Sequence, residues 1–139
     1  MTVAANRQFL AFVLTGGFAA LCNWLSRMVL SAYMSLEIAI VVAYLIGMTI
    51  AYTLSRIFVF QKSGRSVSDE YTRFALVNVV ALVQVWLVTI GLADYLLPAI
   101  GWTWRPEDIA HAAGVASPVL TSYLGHRYFT FGPQAKKDV

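Results

Sequence analysis

Four long apolar stretches, with few charged residues, limit the folds that this sequence can adopt. They cover residues about 9–30, 37–60, 74–97 and 108–131. A helix needs about 20 mostly apolar residues to cross the hydrocarbon core of a bilayer, and each stretch supplies them. Because a membrane-spanning backbone must satisfy its own hydrogen bonds, these stretches cross as helices. The sequence therefore predicts an all-α integral membrane protein with four transmembrane helices.

The composition agrees with this class. Of the 139 residues, 59% are hydrophobic and 12% are charged, whereas a typical soluble domain is roughly 25% charged. The length predicts a single membrane domain over residues 1–139. Cys22 is the only cysteine, so we expect neither a disulfide framework nor a cysteine cluster for a metal. Arg7 precedes the first stretch as in a signal peptide, but three further spans follow, so we expect the first stretch to be retained.

The basic residues predict the orientation of the chain. Four crossings put both termini on one side, and termini in the cytoplasm leave only Arg27 and Arg105 outside. Eight cations then lie inside: Arg7, Arg56, Lys62, Arg65, Arg73, Arg127, Lys136 and Lys137. The net charge of +3 is thus explained by topology rather than by nucleic-acid binding, and the basic rim would attract anionic membrane lipids. The localisation expected is the cytoplasmic (inner) membrane, with a flexible tail at 133–139.

One sequence pattern occurs twice. Glu37-Ile38-Ala39 is followed by twelve residues, Tyr52, three residues, and then Arg56, Phe58 and Phe60. Asp108-Ile109-Ala110 is followed by twelve residues, Tyr123, three residues, and then Arg127, Phe129 and Phe131. Phe12 and Trp24 share their spacing with Phe74 and Trp86. We interpret this as two helical hairpins that start from the same side, a parallel repeat of a kind known in transporters.

Polar residues inside the first stretch admit two interpretations. Gly16, Ala20, Asn23 and Arg27 share one helical face. The stripe is either a helix-packing surface or a substrate-facing path that ends in a cation. The later ladders Ala43-Gly47-Ala51-Ser55 and Gly114-Pro118-Ser122-His126 predict packing, and Pro118 should kink its helix and free a carbonyl, either structurally or to line a cavity.

The repeated arginines also have two interpretations. Arg56 and Arg127 mark the cytoplasmic boundary and complement the helix dipole, or they grip a phosphate with paired N–H donors. His126, next to Arg127, could share such an anion when it is protonated. Glu37 and Asp108 stand at the outer starts of the same helices, where acids favour the dipole.

Nothing in the sequence predicts an enzyme. His111 and His126 are about 22 Å apart at 1.5 Å per residue, too far to share a metal. Asn78 and Gln84 lie on different faces of their helix. No nucleophile–base set or phosphate loop is visible, so we expect no catalytic residues, no metal and no cofactor.

The matching segments together resemble the GtrA-like family of small four-span membrane proteins. They are "RQFLAFVLTGGFAALCNW", "AYTLSRIFVF", "YTRFALVNVVALVQVW" and "LTSYLGHRYFTFG", and the likeness runs from Arg7 to Gly132. The resemblance implies a role in cell-surface polysaccharide assembly. It implies that the chain moves a polyprenyl-phosphate-linked sugar across the membrane, or supports the glycosyltransferase that uses one.

A lipid-linked sugar needs shelter only for its anionic and polar head. We expect Arg56 and Arg127 to hold the phosphate inside, Asn23 to act midway and Arg27 outside. Tyr52 and Tyr123 would assist the inner arginines, and Glu37 and Asp108 would bond sugar hydroxyls outside. We also expect a homo-oligomer.

Two other functions remain open. A non-transporting subunit that anchors a glycosyltransferase would use the short basic inner loop as a docking surface. A small multidrug exporter also has four spans, but that class depends on an acidic residue deep in the first span, and none is present here.

Overall fold

The computed structural model describes residues 2–133 of the chain, and this part is helical without strands. The all-α prediction is therefore confirmed. The predicted tail at 133–139 lies outside the described residues except for Pro133, and so do Lys136 and Lys137.

The chain divides into two compact units, Met1–Gly64 and Arg65–Val139. The first unit contains two packed helices, α1 (Val3–Leu30) and α2 (Leu36–Leu54), and α2 continues into a π-helical turn at Ser55–Val59. A short connection over residues 31–35 joins the two helices.

The second unit contains the rest of the helices. Helix α3 (Val67–Ile90) runs on through a π-helical turn at Gly91–Leu96 into the short α4 (Leu97–Ala99). Helices α5 (Pro106–Ala116) and α6 (Pro118–Gly125) follow, and a π-helical turn at His126–Thr130 ends the element. The capping-box spacing of Ser66 and Asp69 in the sequence predicts a helix start near residue 67, and α3 begins there. The Ser66 hydroxyl accepts a hydrogen bond from the Asp69 amide at 3.2 Å.

Three described helical segments are long and apolar enough to cross a membrane. They are Val3–Leu30, Leu36–Val59 and Val67–Ala99, with mean hydropathies of 1.6, 2.0 and 2.2. The fourth predicted stretch is also helical, but Ser117 divides it into α5 and α6.

Pro118 explains this division. Proline has no amide N–H, so the carbonyl of Gly114, four residues earlier, loses its usual helical donor. The Ser117 hydroxyl donates to that carbonyl at 2.8 Å instead, and the Ser117 amide lies 3.3 Å from it. The predicted freed carbonyl is thus present, and the Ser117 side chain satisfies it. Where a kink was predicted, the structure has a break between α5 and α6.

Small residues set the closest helix contacts within each unit. In the first unit, a Cβ on Gly47 would lie 2.7 Å from the Asn23 Cβ and 3.2 Å from the Ala19 carbonyl oxygen. In the second, a Cβ on Gly114 would overlap the Thr89 hydroxyl and lie 2.9 Å from the Val85 carbonyl oxygen. Both positions therefore need glycine, which supports packing as the role of the two small-residue ladders.

Candidate functional site

Both copies of the repeated arginine motif wind as π-helical turns. The Phe60 amide donates to the Ser55 carbonyl at 2.8 Å, and the Phe131 amide donates to the His126 carbonyl, also at 2.8 Å. Each bond spans five residues instead of the four of an α-helix. Single π turns are rare overall, but those that occur are often found at functional sites. The sequence repeat is therefore also a repeat of local backbone geometry.

A buried phenylalanine anchors each of these turns inside its own unit. Phe60 packs edge-on against Phe12 with ring centroids 6.2 Å apart. Phe131 packs in the same way against Phe74, at 6.4 Å. The first aromatics of the motifs, Phe58 and Phe129, are exposed. One ring of each motif therefore fixes the turn and the other faces outward.

In the second unit two predicted site residues contact each other where α6 enters the π turn. Arg127 Nη1 donates to the phenolic oxygen of Tyr123 at 3.3 Å. The guanidinium carbon also lies 5.5 Å from the centre of the Tyr128 ring. Tyr123 is completely buried and Arg127 is half-buried. An arginine held in this way keeps donors available while its orientation is restricted.

In the first unit an arginine and a tyrosine occupy the equivalent positions. Arg56 is half-buried in its π turn, and Tyr52, one turn earlier, is 5% exposed. The buried position of the tyrosine and the rim position of the arginine thus occur in both units.

Arg65 and Arg73, which the sequence predictions used only for the orientation of the chain, also lie at this end of the second unit. Arg65 and Arg73 each pair with Asp69, with Nε–carboxylate distances of 3.3 Å and 3.2 Å. Arg65 also donates to the Gly132 carbonyl. Arg73 donates to the Phe129 carbonyl at 3.4 Å and covers the Phe129 ring at 4.6 Å. These contacts fasten the start of α3 to the segment that follows Arg127.

Buried polar side chains lie at the same end of the second unit. Glu70, in the first turn of α3, and Thr130 have no exposed surface. His126 Nδ1 is 3.1 Å from the Thr130 hydroxyl, and the ring stacks on Phe74 with centroids 4.1 Å apart. His126 is 2% exposed, so it is a packing residue and does not face an anion beside Arg127. Sequence reasoning missed Glu70, because nothing in its local pattern separates it from an ordinary first-turn acid.

The other predicted site residues lie on other parts of the helices of their own units. Asn23 and Arg27 are half-buried on α1, where Asn23 packs at Gly47, while Gly16 and Ala20 are exposed. Glu37 is exposed in the first turn of α2. Asp108 is exposed and pairs with Arg105, Nε to Oδ2, at 2.7 Å.

Helix length separates the acids from the arginines. Glu37 precedes Arg56 by 19 residues, and Asp108 precedes Arg127 by the same number. At 1.5 Å per residue, each acid is about 28 Å from the arginine of its own unit. The predicted residues therefore do not form one pocket. In each unit an arginine and a tyrosine four residues apart lie toward one end of the helix and an acid lies at its start, while Asn23 and Arg27 lie on α1.

A comparison with known families gives one match. The family model described as "GtrA/DPMS, transmembrane domain" matches residues 11–131. No curated protein and no solved structure matches the chain. The matched range contains the π turns of both arginine motifs and all eight predicted site residues.

Proposed function

The chain belongs to the GtrA/DPMS transmembrane-domain family, and from this premise we propose that it translocates a polyprenyl-phosphate-linked sugar across the cytoplasmic membrane. Membership of this family indicates a membrane protein that handles lipid-linked sugars. The product would serve cell-surface polysaccharide or glycan synthesis. The protein would act as a carrier rather than as an enzyme.

The repeated arginine–tyrosine arrangement carries the proposal. Guanidinium groups bind phosphate through two parallel N–H donors. Arg127 is oriented by a buried tyrosine, and Arg56 occupies the equivalent rim position above a buried tyrosine. Such a group fits the anionic phosphate at the membrane surface while the polyprenyl tail remains in the lipid.

The proposed topology has four crossings with both termini in the cytoplasm. Three segments meet the length and hydropathy of a span. We propose that Pro106–Thr130 forms the fourth, because broken helices are tolerated in membranes where other groups satisfy the freed carbonyl, as Ser117 does for Gly114. The positive-inside rule then puts Arg56 and Arg127 at the cytoplasmic surface.

Along this path, Asn23 would meet the head group midway and Arg27 would meet it at the outer side. Glu37 and Asp108, exposed at the outer helix ends, would accept hydrogen bonds from sugar hydroxyls. Consumption of the product outside would drive net movement.

The test is reconstitution of the purified chain alone into liposomes with a labelled polyprenyl-phosphate-linked sugar in one leaflet. The expected result is movement of label to the opposite leaflet well above that of protein-free liposomes. A chain that moves no label alone, but raises the activity of a co-reconstituted glycosyltransferase, would show the non-transporting subunit instead. The exposed residues Gln61, Lys62 and Ser66 before α3 are the surface that favours this second function.

A further inference from the structure

A groove in the second unit combines an apolar wall with a polar end. It lies between α3 and α6 and has a volume of about 340 Å³. Leu76, Val77 and Val80 line one side, and Gly125 and Phe129 line the other. Gln84, Thr121 and Ser122 also line it. Pockets of roughly 300–1,000 Å³ bind small molecules, usually through apolar walls and a few placed polar groups.

The polar end is built from a side-chain hydrogen bond between two helices. The Thr121 hydroxyl donates to the Gln84 amide oxygen at 2.8 Å and lies 3.3 Å from the Pro118 carbonyl oxygen. This bond fixes the Gln84 amide at the groove. A primary amide can make up to four hydrogen bonds, and Thr121 uses one of them. The rest of the amide's hydrogen-bonding capacity is left for an occupant of the groove.

Gln84 lies at mid-depth in its apolar stretch. It follows Phe74 by ten residues, which is about 15 Å along the helix. The hydrocarbon core is about 30 Å thick, so the amide stands near the centre of the proposed span. An amide with unused hydrogen-bonding groups is costly in that environment. Its position in a groove indicates a polar occupant.

The chemistry of the lining selects the kind of polar group. Among the described residues no charged side chain lines the groove, so it offers no cation to pair with a phosphate. It offers amide and hydroxyl groups, which pair with hydroxyls, beside aliphatic walls and the Phe129 ring. We propose that Gln84, Thr121 and Ser122 form a mid-membrane subsite for the sugar hydroxyls of a lipid-linked monosaccharide. This inference rests on the proposed function and adds a position at which the head group is recognised during crossing.

The neighbouring amide on α3 supplies a matched control. Asn78 donates to the Phe74 carbonyl of its own helix at 2.9 Å and does not line the groove. Asn78→Leu therefore removes an amide from the same helix without touching the proposed subsite, whereas Gln84→Leu removes the subsite amide. Thr121→Val, which is nearly isosteric, provides a second groove variant if Gln84→Leu does not insert.

The experiment is photolabelling of the full chain in phosphatidylethanolamine–phosphatidylglycerol vesicles. The probes are polyprenyl phosphates linked to glucose, mannose or N-acetylglucosamine, each with a diazirine on the sugar. With at least one probe, label is expected on the α3 or α6 peptides. It should fall at least fivefold in Gln84→Leu and in Thr121→Val but stay unchanged in Asn78→Leu. Unlabelled glycosylated lipid should compete at least tenfold better than the same polyprenyl phosphate without sugar.

Three results would overturn the subsite: equal labelling of the groove variants, equal competition by the sugar-free lipid, or no groove labelling with any of the three probes. Equal competition would mean that the groove holds only a lipid tail. Groove labelling without transport in liposomes would instead overturn translocation and leave the subsite in place. The two proposals can therefore fail separately.

Discussion

The guanidinium of Arg127 donates a hydrogen bond to the hydroxyl of Tyr123, a side chain with no exposed surface, at 3.3 Å. The tyrosine is fixed by the packing of its unit and passes that order on to the arginine at the rim. Pre-organised donors lose less freedom when they bind a ligand. This relationship supports the proposal that Arg127 binds a phosphate, rather than only marking a membrane boundary.

Replacing the repeated arginines with lysine tests that distinction. Lysine keeps the charge but loses the planar pair of donors, so transport of the lipid-linked sugar should fall about tenfold in Arg127→Lys. Transport should also fall in Arg56→Lys, but by a smaller factor. Arg7→Lys, at an exposed position, is the control. Wild-type transport by both variants at normal expression would reduce the motif to a boundary marker.

Glycine at the α3–α5 contact should be essential for stability. Gly114→Ala would force a methyl group against Thr89 and the Val85 carbonyl, and overpacking of this kind costs about 1–3 kcal/mol. Unfolding in mixed detergent micelles measures the loss. Gly17→Ala is the matched control, because its methyl would meet no atom within 4 Å. Equal midpoints for the two variants would contradict the described contact.

The two phenylalanines of the first motif should differ in their contribution to stability. Phe60→Ala removes a ring that is 6% exposed and packs on Phe12, and the loss should be about 3 kcal/mol. Phe58 is 68% exposed, so Phe58→Ala should leave the unfolding midpoint nearly unchanged. A larger effect from Phe58 would mean that a partner covers it in the membrane.

Cysteine labelling tests the proposed topology. In a Cys22→Ala background, a membrane-impermeant maleimide applied from outside should modify Ser35→Cys and Thr103→Cys. Ser68→Cys should react only after the membrane is opened. All three wild-type positions are exposed, so accessibility to water does not bias the comparison. The reverse pattern would place the termini outside.

Self-association should depend on the exposed small residues of α1. Gly16 and Ala20, four residues apart, are both exposed, and small residues at this spacing let membrane helices approach closely. Chemical cross-linking in native membranes should show a dimer in wild type and less dimer in Gly16→Leu. Val13→Leu, at another exposed position of α1, should behave as wild type. Monomer alone at every protein density would exclude the homo-oligomer.

The sequence predicted the features that follow from local chemistry. The length of the apolar stretches predicted the helices. The spacing of Ser66 and Asp69 predicted the start of α3, and Pro118 predicted the freed carbonyl before α6. These depend on neighbours within a turn or two, so they can be read from the chain itself.

The remaining features depend on contacts between segments far apart in sequence. The π turns require Phe60 and Phe131 to reach Phe12 and Phe74. Glu70 is buried in the unit where α3 contacts the π turn at His126–Thr130, and that turn lies more than 50 residues after Glu70. The pairing of Gln84 with Thr121 spans 37 residues, and α-helical geometry gives no sign of it. The structure thus adds side chains to the candidate site that no sequence motif marks.

The Ser117 hydroxyl has one more consequence. The hydrogen bonds that the Gly114 carbonyl accepts at this junction come from Ser117 itself, from its hydroxyl at 2.8 Å and from its amide at 3.3 Å, and none can come from the amide of Pro118. Ser117 thus supplies at this break the donors that the next helical turn supplies elsewhere, and in the proposed fourth span an unsatisfied carbonyl would cost several kcal/mol. The segment over residues 106–130 therefore consists of two helices joined at Ser117, and the groove residues Thr121 and Ser122 follow just after this junction.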